Sequence, residues 1–194
     1  NDKVLNEKTA EAIDALQVMN DPPRLFVRAG RIVRVERDEH GRPVIQSLNK
    51  AAVRGELDRA AHWVLFKPDK DKEVIETYVT PGEAIAEDLM ERPPGEWGLP
   101  ALIGIATSPI LHLDGSIHDG IGYDSVTRMY LLPEPGFVLA PVPANPTAAD
   151  IAAAKEMILE IFWDFPFVDE ASRWNAVGAF LTGVFRPIID GPCP

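Results

Sequence analysis

The sequence has almost no cysteine and no long apolar run. Its one cysteine, Cys193, is next to the last of 194 residues. A lone cysteine cannot build a disulfide framework or a cysteine-based zinc site, and it favours a reducing, cytoplasmic setting. No segment approaches the apolar length that a bilayer crossing requires, and the first residues do not join a basic stretch to an apolar one. Neither secretion nor membrane insertion is predicted.

Motifs of nucleotide-dependent and nucleophilic enzymes are also missing. The patterns GxxxxGK[ST], GxGxxG and GxSxG do not occur. The sequence therefore contains neither a glycine loop for nucleotide phosphates nor a nucleophile elbow. We predict that this chain performs no catalysis by itself and holds no cofactor of its own.

Negative charge dominates the composition. The chain has 19 Lys and Arg against 30 Asp and Glu, which gives a formal net charge of −11. Such a chain repels a polyanion at long range, which argues against a protein that coats DNA or an anionic membrane. The apolar content of 46% and charged content of 25% are ordinary for a globular protein. Any contact with nucleic acid must be local.

Apolar periodicity predicts a mixture of helices and antiparallel strands. We expect a helix from about Glu7 to Met19, a three-stranded meander over 25–48, and a second helix capped by Asn49. A strand pair over 65–79 follows. Because strands come in groups between helices, and not in strict alternation, we predict an α+β fold with about five helices. A winged-helix-like N-terminal part is one option within that class.

Three further helices are expected towards the C-terminus. Thr80 is predicted to cap the first, with Pro81 at its first position and Glu83 closing a capping box. Thr147 and Asp150 form a second capping box. On the helix that this box begins, the residues expected to face inward are Ile151, Ala154, Ile158 and Ile161. The last helix is marked by Trp174, Val177, Leu181 and Val184.

Proline marks the predicted domain boundary. We expect an α+β accessory domain over 1–135, an extended Pro-rich connector over 136–146, and a helical segment over 147–194. The absence of an initiator Met and an ending inside an apolar run and a Gly/Pro turn favour a piece of a longer protein.

Arginine is concentrated in the meander. Between positions 24 and 42, six arginines and three acids give a local charge of +3, which leaves −14 for the rest. Guanidinium groups supply forked donors that hold phosphates. The alternative, a solvated strand face partly neutralised by neighbouring acids, is the more common situation. The candidate nucleic-acid contacts are Arg28, Arg31, Arg34 and Arg37, with Arg54 and Arg59 on the following helix.

One cluster has the chemistry of metal ligands. His112, Asp114, His118 and Asp119 lie within eight positions, and imidazole with carboxylate could hold zinc or manganese. However, Asp114 and the glycine that follows it are typical of a hairpin turn. We favour the hairpin and predict no metal, so a small metal-dependent hydrolase is the least favoured function.

Five segments, in order, resemble the region N-terminal to the ATPase core of phage- and prophage-type primase-helicase proteins. They read NDPPRLFVRAGRIVRV, RGELDRAAHWV, LPALIGIATSPILHLDGSI, GYDSVTRMYLL and DFPFVDEASRWNAVGAFLTGVFRPIIDGP. The resemblance implies a structural hairpin with Gly122, Tyr123 and Asp124 at its centre. It also implies a P-loop ATPase domain after this chain, and ATP and Mg²⁺ belong to that domain alone.

Two hypotheses follow from the resemblance and the arginines. In the first, this is an accessory domain in the DNA replication of a mobile element, which contacts DNA or links a primase-like module to the motor. In the second, it is a structural or oligomerisation module whose helices after Thr147 pack on the ATPase domain or on a neighbouring copy. The expected partners are therefore DNA, the ATPase domain of the same protein and, as an option, further copies of the chain.

Overall fold

The computed structural model describes residues 4–68, 74–138, 143 and 145–186. The helices in this part of the chain are α1 (Leu5–Met19), α2 (Lys50–Ala60), α3 (Glu83–Glu91), α4 (Ala148–Glu160) and α5 (Glu170–Phe185). The strands are β1 (Leu25–Arg28), β2 (Arg31–Arg37), β3 (Pro43–Ser47), β4 (Val64–Pro68), β5 (Val74–Tyr78), β6 (Gly104–Ala106), β7 (Ile110–Leu111), β8 (Ile117–His118), β9 (Gly122–Asp124) and β10 (Met129–Leu131). The predicted α+β class is confirmed, and the winged-helix-like arrangement stays a prediction.

The chain divides into two compact units. One contains the residues up to Thr107 together with Ile121–Phe137, and the other contains Ser108–Gly120 and the residues from Val138 onward. The predicted connector at 136–146 falls partly outside the described residues, so that boundary stays a prediction. Within the described ranges, no helix has the length and apolar content needed to cross a membrane.

The main core of the first unit lies between the meander β1-β2-β3 and three helices. Leu16 of α1, Leu57 of α2 and Leu89 of α3 are 1% exposed or less, and they belong to one cluster with Leu25 and Ile32 of the sheet. The helices bury one apolar stripe each, as their helical spacing predicts. This packing fixes α2 across the meander and so positions the charged side chains of both.

The other face of the meander carries a second, smaller core. Phe26 and Val33 form a register pair on this face and cluster with Leu102. The sheet β6-β10-β9, in which β10 is parallel to β6 and antiparallel to β9, supplies Tyr123 and Tyr130 to the same cluster. The centre of the meander is therefore buried on both faces.

The capping prediction for α3 is wrong. Gly82 is the N-cap residue and no side chain caps the helix. Pro81 is fully buried, and the Thr80 hydroxyl accepts a hydrogen bond from Arg54 at 2.9 Å. The backbone of Gly82 is extended, with φ −65° and ψ 144°, so the helix begins at Glu83, two residues later than the local pattern indicates. The Asn49 cap is confirmed, since its side chain accepts from the Ala52 N–H at 2.9 Å.

The second unit contains the β7-β8 hairpin, α4 and α5. The capping box of Thr147 and Asp150 is confirmed. The inward orientation predicted for α4 is wrong, because α4 buries no side chain and Ile151 and Ile161 are 61% and 56% exposed. Helical spacing identifies an apolar stripe but does not supply a surface that packs against it.

Candidate functional site

The meander does not present its arginines on one surface. Alternate residues of a strand point to opposite faces, so Arg31 and Arg37 lie on one face of β2 and Arg34 lies on the other. Arg28 is the cross-strand partner of Arg31, so both lie on the same face of the meander as Phe26. Arg34 lies on the face that packs against the helices. Strand geometry thus separates residues that the sequence groups together.

Arg28 and Arg31 face each other at the tip of the β1-β2 hairpin. The two residues between them, Ala29 and Gly30, have φ angles of 49° and 72°, as a tight two-residue turn requires. Nε of Arg28 donates to the Ile103 carbonyl at 3.3 Å, and the side chain of Arg31 forms no hydrogen bond or ion pair within the described ranges. Like charges directly opposite each other are destabilising. The pair is therefore a candidate contact for an anionic group.

Two of the predicted arginines join segments of the fold. Arg37 donates to the carbonyls of Gly41 and Pro133 at 2.7 and 2.9 Å. Arg54 donates to the Pro81 carbonyl at 2.6 Å and to the Thr80 hydroxyl. Both guanidinium groups satisfy backbone carbonyls, which is a structural role.

The remaining two predicted arginines, Arg34 and Arg59, line one cavity of about 510 Å³. Its other lining residues are Arg24, Leu25, Val35, Glu56 and Tyr130. The cavity exists because β1 begins at Leu25, opposite Arg34, so the meander has an open edge beyond that pair. On α2, Glu56 and Arg59 are three residues apart and share a helix face.

A buried carboxylate organises this cavity. The Glu56 side chain is 7% exposed, and it accepts from Nη2 of Arg59 at 2.7 Å and from Nη1 of Arg34 at 3.5 Å. Nε of Arg34 donates to Glu36 at 2.8 Å. A buried carboxylate needs such partners because an unpaired buried charge is costly. Side-chain hydrogen bonding to Glu56 raises the pKa of Arg59, so this guanidinium stays charged.

Gly122, Tyr123 and Asp124 form β9, and their contacts are structural. The Asp124 carboxylate accepts from the backbone N–H groups of Val126 and Thr127 at 3.2 and 3.0 Å. The Tyr123 ring packs on Phe26 with centroids 5.0 Å apart, and its hydroxyl donates to a backbone carbonyl. Burial raises the pKa of this phenol. Through these contacts, β9 fixes the sheet β6-β10-β9 on the meander.

The histidine cluster forms a hairpin in the second unit. Nδ1 of His112 lies 2.9 Å from the Ser116 hydroxyl, which donates to Asp114 at 2.7 Å. Hydrogen bonding to Ser116 lowers the pKa of Asp114. His118 pairs with Ile110 across the hairpin. In the part of the chain that the structure describes, no three His, Cys, Asp or Glu side chains are grouped as a metal site requires.

Comparisons of the chain with models of protein families, with curated proteins and with solved structures find no match. The sequence did not point to three residues of the cavity, Arg24, Glu56 and Tyr130. The Glu56–Arg59 spacing on a helix was a usable signal. Arg24 and Tyr130 reach the cavity only through tertiary packing, for which the sequence contains no local signal.

Proposed function

We propose that the chain is a non-catalytic accessory module of a primase-helicase type replication protein from a mobile element. In this proposal it works in the cytoplasm and attaches through α4 and α5 to a P-loop ATPase domain. The five segments that resemble primase-helicase proteins support the assignment to a replication protein. The exposure of apolar side chains on the helical segment supports the attachment, and this observation carries the proposal.

The helical segment is well formed but buries almost nothing. Both helices have side-chain caps, from Thr147 and Asp169, yet Val177 is the one buried residue among the described parts of α4 and α5. Trp163, Phe165 and Val168, in the connection between them, are 79%, 62% and 96% exposed. Large apolar side chains that are this exposed and this close along the chain are typical of a protein interaction site. A helical segment with so little core of its own is stabilised by packing on another surface.

The charges around this surface define the partner. A groove of about 840 Å³ on α4 has Ala153, Met157 and Trp163 as its apolar lining, and its carboxylates are Glu156, Glu160 and Asp164. Two copies that meet groove to groove bring these carboxylates together, so the surface associates only weakly with itself and better fits a partner of opposite charge. The surface that fits is apolar with basic side chains at its rim, and we assign it to the ATPase domain.

The reading frame beyond Pro194 tests the context. A glycine-rich loop ending in Gly-Lys-Thr or Gly-Lys-Ser is expected within about thirty codons, and a stop codon there contradicts the proposal. Co-expression of the chain with a separately tagged ATPase domain then tests the attachment. The variant W163S/F165S/V168S should lose co-purification. The control V18S/V126S, which changes two similarly exposed apolar residues outside the helical segment, should retain it.

A second candidate function is direct contact with nucleic acid, favoured by the opposed Arg28 and Arg31. If these two residues bind phosphates, affinity for DNA is micromolar or weaker and falls with salt at a log-log slope of roughly −0.7 per contact on single strands. The variant R28S/R31S should abolish this binding, whereas K67S, which removes another exposed cation, should not. Absence of binding by the wild-type chain at low salt contradicts this function and leaves the first proposal unchanged.

A further inference from the structure

We infer that the cavity lined by Arg24, Arg34 and Arg59 is a binding site for a phosphate group. The three guanidinium groups come from distant parts of the sequence and line one cavity of about 510 Å³, a volume typical of small-molecule sites. This inference is independent of the attachment proposed for α4 and α5.

The charge of the cavity is opposite to that of the chain. Three guanidinium groups meet two carboxylates, those of Glu56 and Glu36, so the site keeps one net positive charge. The whole chain carries −11. A positive cavity in an acidic body concentrates anions at one place, because low-dielectric walls focus the local field. An anion that reaches this protein is therefore directed to the cavity.

Glu56 acts here as a positioning residue. Its buried carboxylate binds Arg34 through Nη1 and Arg59 through Nε and Nη2. Each guanidinium has five N–H donors in a fixed plane. Nη2 of Arg34 and Nη1 of Arg59 remain without hydrogen bonds within the described residues. The guanidinium groups of Arg34 and Arg59 are thus held in place while each keeps an unused N–H donor. This preorganisation reduces the entropy lost when a ligand binds.

Arg24 distinguishes a binding site from a structural ion pair. Two arginines already satisfy Glu56, yet the side chain of Arg24 forms no hydrogen bond or ion pair among the described residues. Tyr130 also lines the cavity, and its hydroxyl likewise has no hydrogen-bond partner in the described part of the chain. A phosphate has several acceptor oxygens and more than one negative charge. The unpaired guanidinium of Arg24 and hydroxyl of Tyr130, together with the two preorganised guanidinium groups, match this chemistry.

Calorimetric titration of the whole chain with inorganic pyrophosphate at low salt tests the site. The variant R24Q should weaken binding about tenfold or more, since a hydrogen bond to a charged group is lost. Y130F should weaken it about threefold. The control K67Q removes an exposed cation that does not line the cavity and should bind like the wild type. Both Arg24 and Lys67 are exposed, so circular dichroism should show unchanged folding in either variant.

The same titration overturns the inference in three cases. The first is no binding by the wild type, the second is wild-type affinity in R24Q, and the third is an equal loss of affinity in K67Q. A single-stranded oligonucleotide with a 5′-hydroxyl identifies the source of the phosphate. If the source is a nucleic-acid backbone, the oligonucleotide binds more tightly than pyrophosphate and loses affinity in R24Q. If the source is a free phosphate compound, pyrophosphate binds more tightly.

Discussion

Nη2 of Arg59 donates to Oε1 of Glu56 at 2.7 Å, and the two residues differ sharply in burial, with side chains that are 55% and 7% exposed. Of the two residues, the buried Glu56 depends more strongly on its ion-pair partner. Arg59 without Glu56 would still be solvated, whereas Glu56 without its arginines would be a buried, uncompensated charge.

The double variant R34M/R59M is therefore expected to destabilise the fold by about 3 kcal/mol. Adding Glu56→Leu to that variant should recover most of the loss, because the buried charge is removed along with its partners. Urea unfolding followed by circular dichroism measures both changes. A double variant as stable as the wild type would show that Glu56 is solvated in solution.

Tyr123 should reveal two separate contributions. Tyr123→Phe removes the hydrogen bond to the Ala101 carbonyl, which is 2.8 Å long, and should cost about 1 kcal/mol. Tyr123→Ala also removes the packing on Phe26 and should cost about 3 kcal/mol. Thermal unfolding of the two variants separates the polar from the apolar part. Equal losses would contradict a stabilising role for the ring contact.

The two predicted caps in the first unit should behave differently. Asn49→Ala removes the hydrogen bond to the Ala52 N–H at the start of α2 and should cost about 1 kcal/mol. Thr80→Ala should change the unfolding free energy by about 0.5 kcal/mol or less, because Thr80 is exposed and caps no helix. Chemical denaturation of both variants under one set of conditions makes the comparison. A larger loss from Thr80→Ala would mean that α3 begins earlier.

The start of α4 should be sensitive to acid. Hydrogen bonds from the Thr147 hydroxyl and N–H hold the pKa of Asp150 below its ordinary value of 3.8. A carboxyl whose pKa is lowered on folding stabilises the folded state above its ordinary pKa, and this contribution is lost as pH falls through the lowered pKa. Asp150→Asn should remove that part of the pH dependence below about pH 4. Circular dichroism over this range tests it, with Asp169→Asn as the matched change at the start of α5.

The isolated chain should associate through its helical segment. Exposed Trp163, Phe165 and Val168 give an apolar surface that favours self-association when its partner is missing. Light scattering should show concentration-dependent association that decreases in W163S/F165S/V168S. The control V18S/V126S should associate like the wild type. A strict monomer in every case would argue against an interaction surface on this segment.

The sequence alone determined the features that depend on near neighbours along the chain. The helices, the Asn49 cap and the Thr147–Asp150 capping box depend on residues within four positions of one another, and each strand of the meander follows from a two-residue alternation. The backbone hydrogen bonds to the Asp124 carboxylate are of the same kind, since the donors, Val126 and Thr127, are two and three residues further along the chain.

Tertiary structure decided what required distant partners. Arg34 and Glu56 are 22 residues apart, and they meet only because α2 packs across one face of the meander. The two-residue repeat of a strand placed Arg34 on that face and Arg31 on the other, which a count of arginines cannot show. The start of α3 at Glu83 and the exposure of the apolar stripe of α4 also do not follow from local spacing. Spacing in a sequence specifies which side chains share a face, but the free energy of burying that face depends on what lies opposite it.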